Sequence, residues 1–178
     1  MANLPVPVPR TFTVSETETA SYLNTVRDGL DFLLAKPFMA VTQTTTQTLT
    51  TAVWGAIGYD VSIVDTYGMH SNVTNNTRAT AIVAGWYYPV GCVVIANNTT
   101  GVRGARIAKN GTVIQGSAML SNAAGGTSVS AVQCVSFPVF LNVGDYLELQ
   151  GYQNSGGNLN TAAGTDLDSS FSVRWYHN

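Results

Sequence analysis

The sequence predicts an all-β domain carried behind one extended arm and one helix, and three observations predict it. Apolar residues at helical spacing are confined to residues 15–36. From Phe38 onward Val, Thr, Ile and aromatics dominate, the residues that suit a half-buried pleated surface. Turn signals then recur at short intervals: Gly58, Gly68, Asn97-Asn98, Asn110-Gly111, Gly125-Gly126, Gly144-Asp145 and Gly156-Gly157. Short strands punctuated in this way read as a sandwich or barrel.

The arm is residues 1–14. Leu4-Pro5-Val6-Pro7-Val8-Pro9-Arg10 alternates proline with apolar residues, and Phe12 follows. Each proline fixes φ and biases its predecessor toward extended geometry, so the segment is stiff and polyproline-like. Two uses are open to it, a surface tail or an arm docked along another subunit. Docking costs a pre-extended segment little entropy.

The helix is predicted over residues 15–36. Ser15-Glu16-Thr17-Glu18 is a capping-box sequence, with Ser15 as N-cap and Glu18 reaching back from the third helical position. Tyr22, Leu23, Val26, Leu30, Leu33 and Leu34 follow at helical spacing, and Lys36-Pro37 closes the segment. Leu23, Val26, Leu30 and Leu33 step by three, four and three, the spacing of a coiled-coil seam. Two heptads do not sustain a free coiled coil, so the helix is expected to pack on a domain or a partner.

The β domain is residues 38–178. Strands are expected at Val53 to Val64, Ala79 to Ala84, Tyr88 to Ala96, Gly104 to Ala108, Val129 to Leu141, Tyr146 to Tyr152 and Ser170 to Trp175. Asn110-Gly111 is a two-residue hairpin signal between Arg106-Ile107-Ala108-Lys109 and Thr112-Val113-Ile114.

Composition narrows the function. Of 178 residues only 10% are charged, against about 25% in ordinary domains, and the net charge is −2. There is no basic excess to neutralise phosphates, which argues against nucleic acid. No apolar run is long enough for a membrane span, and no charged-then-apolar leader marks a secretory signal. Two cysteines, Cys92 and Cys134, are too few to build a fold on disulfides and are expected as buried thiols. So little self-repulsion leaves a lone monomer poorly protected, which points to identical copies or a larger assembly covering part of the surface.

Read in order, the β part resembles the C1q/TNF-like jelly roll. The family's Gly-x-Tyr strand entry has a counterpart in Ala84-Gly85-Trp86-Tyr87-Tyr88, and its central Asn-Gly hairpin in Arg106 to Gly111. Its Leu-x-x-Gly-Asp-x-Val-x-Leu signature matches Leu141-Asn142-Val143-Gly144-Asp145-Tyr146-Leu147-Glu148-Leu149, with Leu147 in the valine place. Its closing Phe-Ser-Gly strand is represented by Phe171-Ser172-Val173-Arg174-Trp175. Two departures stand out: Pro89 where the family has an aromatic, and Val173 where it has glycine. The leader, Pro9-Arg10-Thr11-Phe12 and Glu18 through Leu33, is similar to that of small bacteriophage virion proteins of actinobacterial phages.

The resemblance implies a homotrimer; from the residues themselves no catalytic site, cofactor or metal site is expected. Trp86, Tyr87, Tyr88, Phe171, Trp175 and Tyr176 are the intersubunit candidates, although alternation lets only part of that set face one side of a sheet. Leu4, Pro5, Val6, Pro7, Val8, Pro9, Arg10, Phe12, Tyr22, Leu23, Val26, Leu30 and Leu33 are the particle-docking candidates. The expected role is capsid decoration or a head-fibre knob in a virion, assembled in the host cytoplasm with the major capsid protein or another virion protein as partner. The alternative is a minor tail protein whose Thr-, Asn- and Gly-rich distal loops meet a host-surface glycan or receptor.

Enzyme chemistry finds little purchase. His70 and His177 form no ligand pair with a nearby Cys or acid. Asp60 with Asp65, and Asp166 with Asp168, lack the dense oxygen spacing of a calcium loop and read as solvated turns. A polysaccharide-degrading enzyme would need two carboxylates in one groove; Glu148 is expected inside a strand, and Glu16 and Glu18 at a helix cap.

Overall fold

A computed structural model describes residues 11, 13, 17, 19–126, 128–164 and 166–178. The arm candidates Leu4 to Arg10 and Phe12, and the cap pair Ser15 and Glu18, lie outside the described residues. Helix α1 spans Ala20–Leu34 and takes Thr19 as its N-cap, whose hydroxyl accepts the Tyr22 N–H at 3.4 Å. This α1 is shorter than the expected 15–36, because the extended backbone of Thr19 already starts the hydrogen-bond ladder.

The strands, in chain order, are β1 (Phe38–Thr42), β2 (Thr48–Leu49), β3 (Gly55–Ala56), β4 (Val61–Asp65), β5 (Arg78–Thr80), β6 (Gly85–Ile95) and β7 (Val102–Lys109). They continue with β8 (Thr112–Val113), β9 (Met119–Asn122), β10 (Ser130–Val135), β11 (Val139–Leu141), β12 (Tyr146–Gln153), β13 (Leu159–Asn160) and β14 (Ser170–His177). One sheet runs β10-β6-β14-β1-β4, with β11 also on β6; the second runs β3-β12-β7-β8, with β5 on β12 and β9 on β7. A small pair, β13-β2, stands beside them. All these pairings are antiparallel, so each large sheet can bury one face and leave the other free.

Two expected strands are each interrupted. The Val53 to Val64 segment divides into β3 and β4 around Ile57 to Asp60, because the first half joins one sheet and the second half the other. The Val129 to Leu141 segment divides at Ser136-Phe137-Pro138 into β10 and β11. That break explains Pro89. Pairing of β10 with β6 ends at Val135↔Val90 and pairing of β11 begins at Val139↔Tyr87, so the proline sits where the ladder on that side is already open. Asn110 and Gly111, with φ of 49° and 80°, form the hairpin turn between β7 and β8.

The core lies between the two large sheets and contains Met39, Val41, Ile57, Tyr59, Tyr87, Val93, Ile107, Leu149, Phe171 and Val173. Strand register assigns the ends of the sandwich. Trp86↔His177 and Phe38↔Arg174 lie at the pole carrying α1; Thr42↔Ser170 and Cys92↔Ser170 lie toward the other. Segments 43–47, 58–60, 96–101, 161–164 and 166–169 therefore gather at the pole opposite α1.

Candidate functional site

Alternation along β6 sorts the aromatics. Gly85, Tyr87, Pro89 and Gly91 are buried, whereas Trp86, Tyr88 and Val90 are exposed. The Tyr87 hydroxyl donates to the Val83 carbonyl at 2.6 Å, Phe171 stacks on Tyr59 at 6.1 Å, and the Trp175 indole N–H donates to the Ala84 carbonyl at 3.1 Å. Tyr87, Phe171 and Trp175, expected as intersubunit residues, are instead part of the chain's own core. Their strands turn those positions inward, where each ring or its polar tip has a partner within the chain.

Trp86, Tyr88 and Tyr176 remain exposed, and the structure adds Val90, Val135 and Phe140 beside them. These positions are adjacent in register: Phe140 faces Trp86, Val135 faces Val90, and Arg174 lies opposite Tyr88. Trp86 and Phe140 meet edge to face, their centroids 5.7 Å apart. The step of two along β6 marks Val90 in the sequence, whereas Val135 and Phe140 join the face only through long-range pairing. A contiguous aromatic and aliphatic surface of this kind marks an interaction site more often than a water-exposed sheet.

Helix α1 adds a second apolar surface at the same pole. Leu23, Val26, Leu30 and Leu33 are all exposed, Tyr22 is half-buried, and Phe32 is the one buried residue of the helix. Phe32 meets Trp175 and Tyr67 edge to face, at 5.0 Å and 6.2 Å. At about 100° per residue Phe32 lies roughly opposite the leucine stripe, so the stripe looks away from its own domain. A cleft of about 570 Å³, lined by Leu33, Leu34, Lys36, Phe38, Arg174 and Tyr176, joins helix and sheet face.

The ionisable groups do structural work. Asp145 accepts the Asn110 amide at 2.7 Å, the Lys109 ammonium at 2.9 Å and the Asn142 N–H at 2.9 Å, and these donors hold its carboxyl far below the usual range. Glu148 accepts the Thr77 hydroxyl at 2.7 Å and the Arg78 guanidinium at 3.3 Å. Asp65 accepts the N–H groups of Tyr67, Met69 and His70 and so shapes a turn. Among the described residues no three potential ligands gather as a metal site. Cys134 is buried, its thiol pushed up to about 11 by desolvation; Cys92, expected to be buried, is only partly so, because β6 turns it outward between Val90 and Val94.

At the far pole is a groove of about 480 Å³, lined by Gln43, Thr45, Thr46, Gln47, Gly58, Asp60, Asn76 and Thr77. Gln43 donates its side-chain N–H groups to the Gly58 carbonyl at 3.0 Å and to Gln47 Oε1 at 3.3 Å. Gln47 in turn accepts the Gly58 N–H at 2.9 Å and donates to the Ala56 carbonyl at 2.8 Å. The two amides thus lock the 43–47 loop onto the strand-connecting 56–58 segment. Gln43 is 2% exposed, and its Oε1 has no partner among the described residues, a deficit worth about 1–3 kcal/mol. Partial burial raises the Asp60 carboxyl, but the Thr44 N–H at 2.7 Å, with the Thr45 and Thr44 hydroxyls, outweighs it and holds the group below its ordinary value.

No protein-family model matches the chain, and no curated protein matches it. Solved structures do. Murine APRIL at pH 8.5 is similar with a TM-score of 0.53 and 9% identity, over 77% of this chain and 98% of that one. Murine APRIL at pH 8.0 gives 0.51 and 10% identity, over 78% and 98%. Eiger TNF from S. frugiperda gives 0.49 and 14% identity, over 80% and 96%. At such identities the likeness to the two APRIL structures is one of fold: residues 38–178 adopt a TNF-like jelly-roll fold.

Proposed function

We propose that this chain is a non-enzymatic structural virion protein, a homotrimeric knob that decorates a capsid or head fibre. Its N-terminal arm and α1 would hold it to the major capsid protein or another virion protein. The observation that carries the trimer is the outer face of the β10-β6-β14-β1-β4 sheet, where Trp86, Tyr88, Val90, Val135, Phe140 and Tyr176 stand uncovered. Support for a particle comes from the leader's similarity to small phage virion proteins and from the outward-facing stripe on α1. Three such leaders on one knob would strengthen docking through effective concentration even where each binds weakly. A second reading, a minor tail protein that meets a host glycan or receptor, draws on the polar groove at the pole away from α1.

Sedimentation of the full chain tests the proposal. The expected species is three times the 18.8 kDa chain, and Tyr88→Glu with Val90→Glu should reduce it to monomer. Leu23→Glu with Leu30→Glu should leave the trimer intact while abolishing incorporation into particles. A wild-type chain that stays monomeric at micromolar concentration overturns the trimer; normal incorporation of the helix variant overturns the anchor.

A further inference from the structure

We infer that the groove between the 43–47 loop, Gly58 to Asp60 and Asn76-Thr77 is a binding site for a neutral saccharide. It gives the second reading a location and rests on that reading only for the biological source of the ligand. Binding itself needs neither the trimer nor the particle.

The lining selects the chemistry. The Asn76 amide and the Thr46 hydroxyl both donate and accept, the Thr45 hydroxyl, which donates to Asp60, still accepts, and Gln47 keeps a second amide N–H, whereas the Gln43 N–H groups and the Thr77 hydroxyl proton are already used within the chain. A ligand made of neutral hydroxyls presents the same dual character and is matched by such a surface. Phosphate or sulfate is not, because the groove has no Lys, Arg or His and does have the Asp60 carboxylate. A divalent cation is not, because Asp60 is the only acidic side chain of the lining and already accepts the Thr44 N–H. An apolar peptide anchor is not, because the groove offers no aliphatic or aromatic lining residue.

The site is also built in advance. Gln43 and Gln47 are cross-linked to each other and to the backbone of Ala56 and Gly58, so its floor does not have to be ordered by the ligand. A Cβ at Gly58 would approach the Asn76 amide to 3.2 Å, so glycine keeps that amide free to lie against the groove. The floor also keeps one polar atom in reserve. Gln43 Oε1 is buried without a donor among the described residues, and a water held under a bound sugar would complete it. Thr45 and Thr46 at the rim are exposed. The groove lies at the pole away from α1, so a knob fixed by its leader would present it outward. With no aromatic platform each groove should bind weakly, at millimolar ligand, and multivalency would raise the effective strength.

Saturation-transfer NMR on the full chain tests this, using neutral oligosaccharides of glucose, galactose, mannose and N-acetylglucosamine, with inorganic phosphate and calcium chloride as comparison probes. A neutral sugar is expected to bind, phosphate is not, and calcium is not required. Thr46→Trp, which fills the rim, and Asn76→Ala, which removes an amide, should each weaken binding by roughly tenfold, about the worth of one hydrogen bond. Val113→Ser on β8, outside the groove lining, should leave it unchanged, and near-ultraviolet dichroism identifies any variant that fails to fold. The inference is overturned if no sugar binds, if phosphate binds instead, or if binding survives both groove variants. Sedimentation of the same samples reads the trimer separately, so either idea can fail alone.

Discussion

Replacing Phe32 with alanine should release α1 from the knob while leaving the sandwich folded. Phe32 is 1% exposed and is the helix's one buried residue, whereas Leu23, Val26, Leu30 and Leu33 are all exposed. Truncating a buried phenylalanine costs about 3–5 kcal/mol, and within that sum the edge-on contacts with Trp175 and Tyr67 contribute about 0.5–1.5 kcal/mol each. Helices of roughly 15 residues are marginal when isolated, so little intrinsic helix stability remains to offset the loss. Hydrogen exchange is the assay. Amide protection across Ala20–Leu34 should fall by about 10²–10³-fold, the ratio that roughly 3–4 kcal/mol represents, while β6 and β14 keep theirs. Leu30→Ala, on the exposed stripe, should change helix docking by less than about 0.5 kcal/mol. Undiminished protection of α1 in the Phe32 variant would refute the reasoning and show that the stripe itself holds the helix.

Two further outcomes follow from the site geometry. Asp145 has a folded pKa well below its unfolded value, so its contribution to stability is complete above about pH 4 and is lost as pH falls through the folded value. Asp145→Asn should therefore lower the melting temperature at pH 7 and flatten its acid dependence; an unchanged acid limb would contradict the assignment. At Gly85, φ is +144° and a Cβ would come under 3.0 Å from both Trp175 Nε1 and the His177 carbonyl. Gly85→Ala should cost about 2–5 kcal/mol through strain and overpacking beside the aromatic face, measured by urea denaturation, and a neutral result would show that β14 yields there.

Parts of the site were legible in the sequence and parts were not, for identifiable reasons. The helical stripe and the step of two through Trp86, Tyr88 and Val90 are local periodicities, visible without coordinates. Of Trp86, Tyr87, Tyr88, Phe171, Trp175 and Tyr176, three share the exposed face and three lie in the core, because consecutive residues of a strand point to opposite faces. Val135 and Phe140 carry no local signal, because β10 and β11 reach β6 from distant positions in the chain. The groove had no sequence signal at all. Its amides come from positions 43, 47 and 76, in loops whose proximity only the β1–β4 pairing and the Tyr59–Asn76 hydrogen bond create.

By itself the sequence determined the periods: one helix, then strands, with Asn110-Gly111 free to take the left-handed angles that close a hairpin. Those are preferences of a few neighbouring residues, and short-range sterics suffice to express them. Tertiary structure alone decided which face of each strand is buried, where Pro89 is harmless, and which polar loops share a pole. These outcomes depend on pairing register, and register is set when distant strands bury their apolar sides against one another.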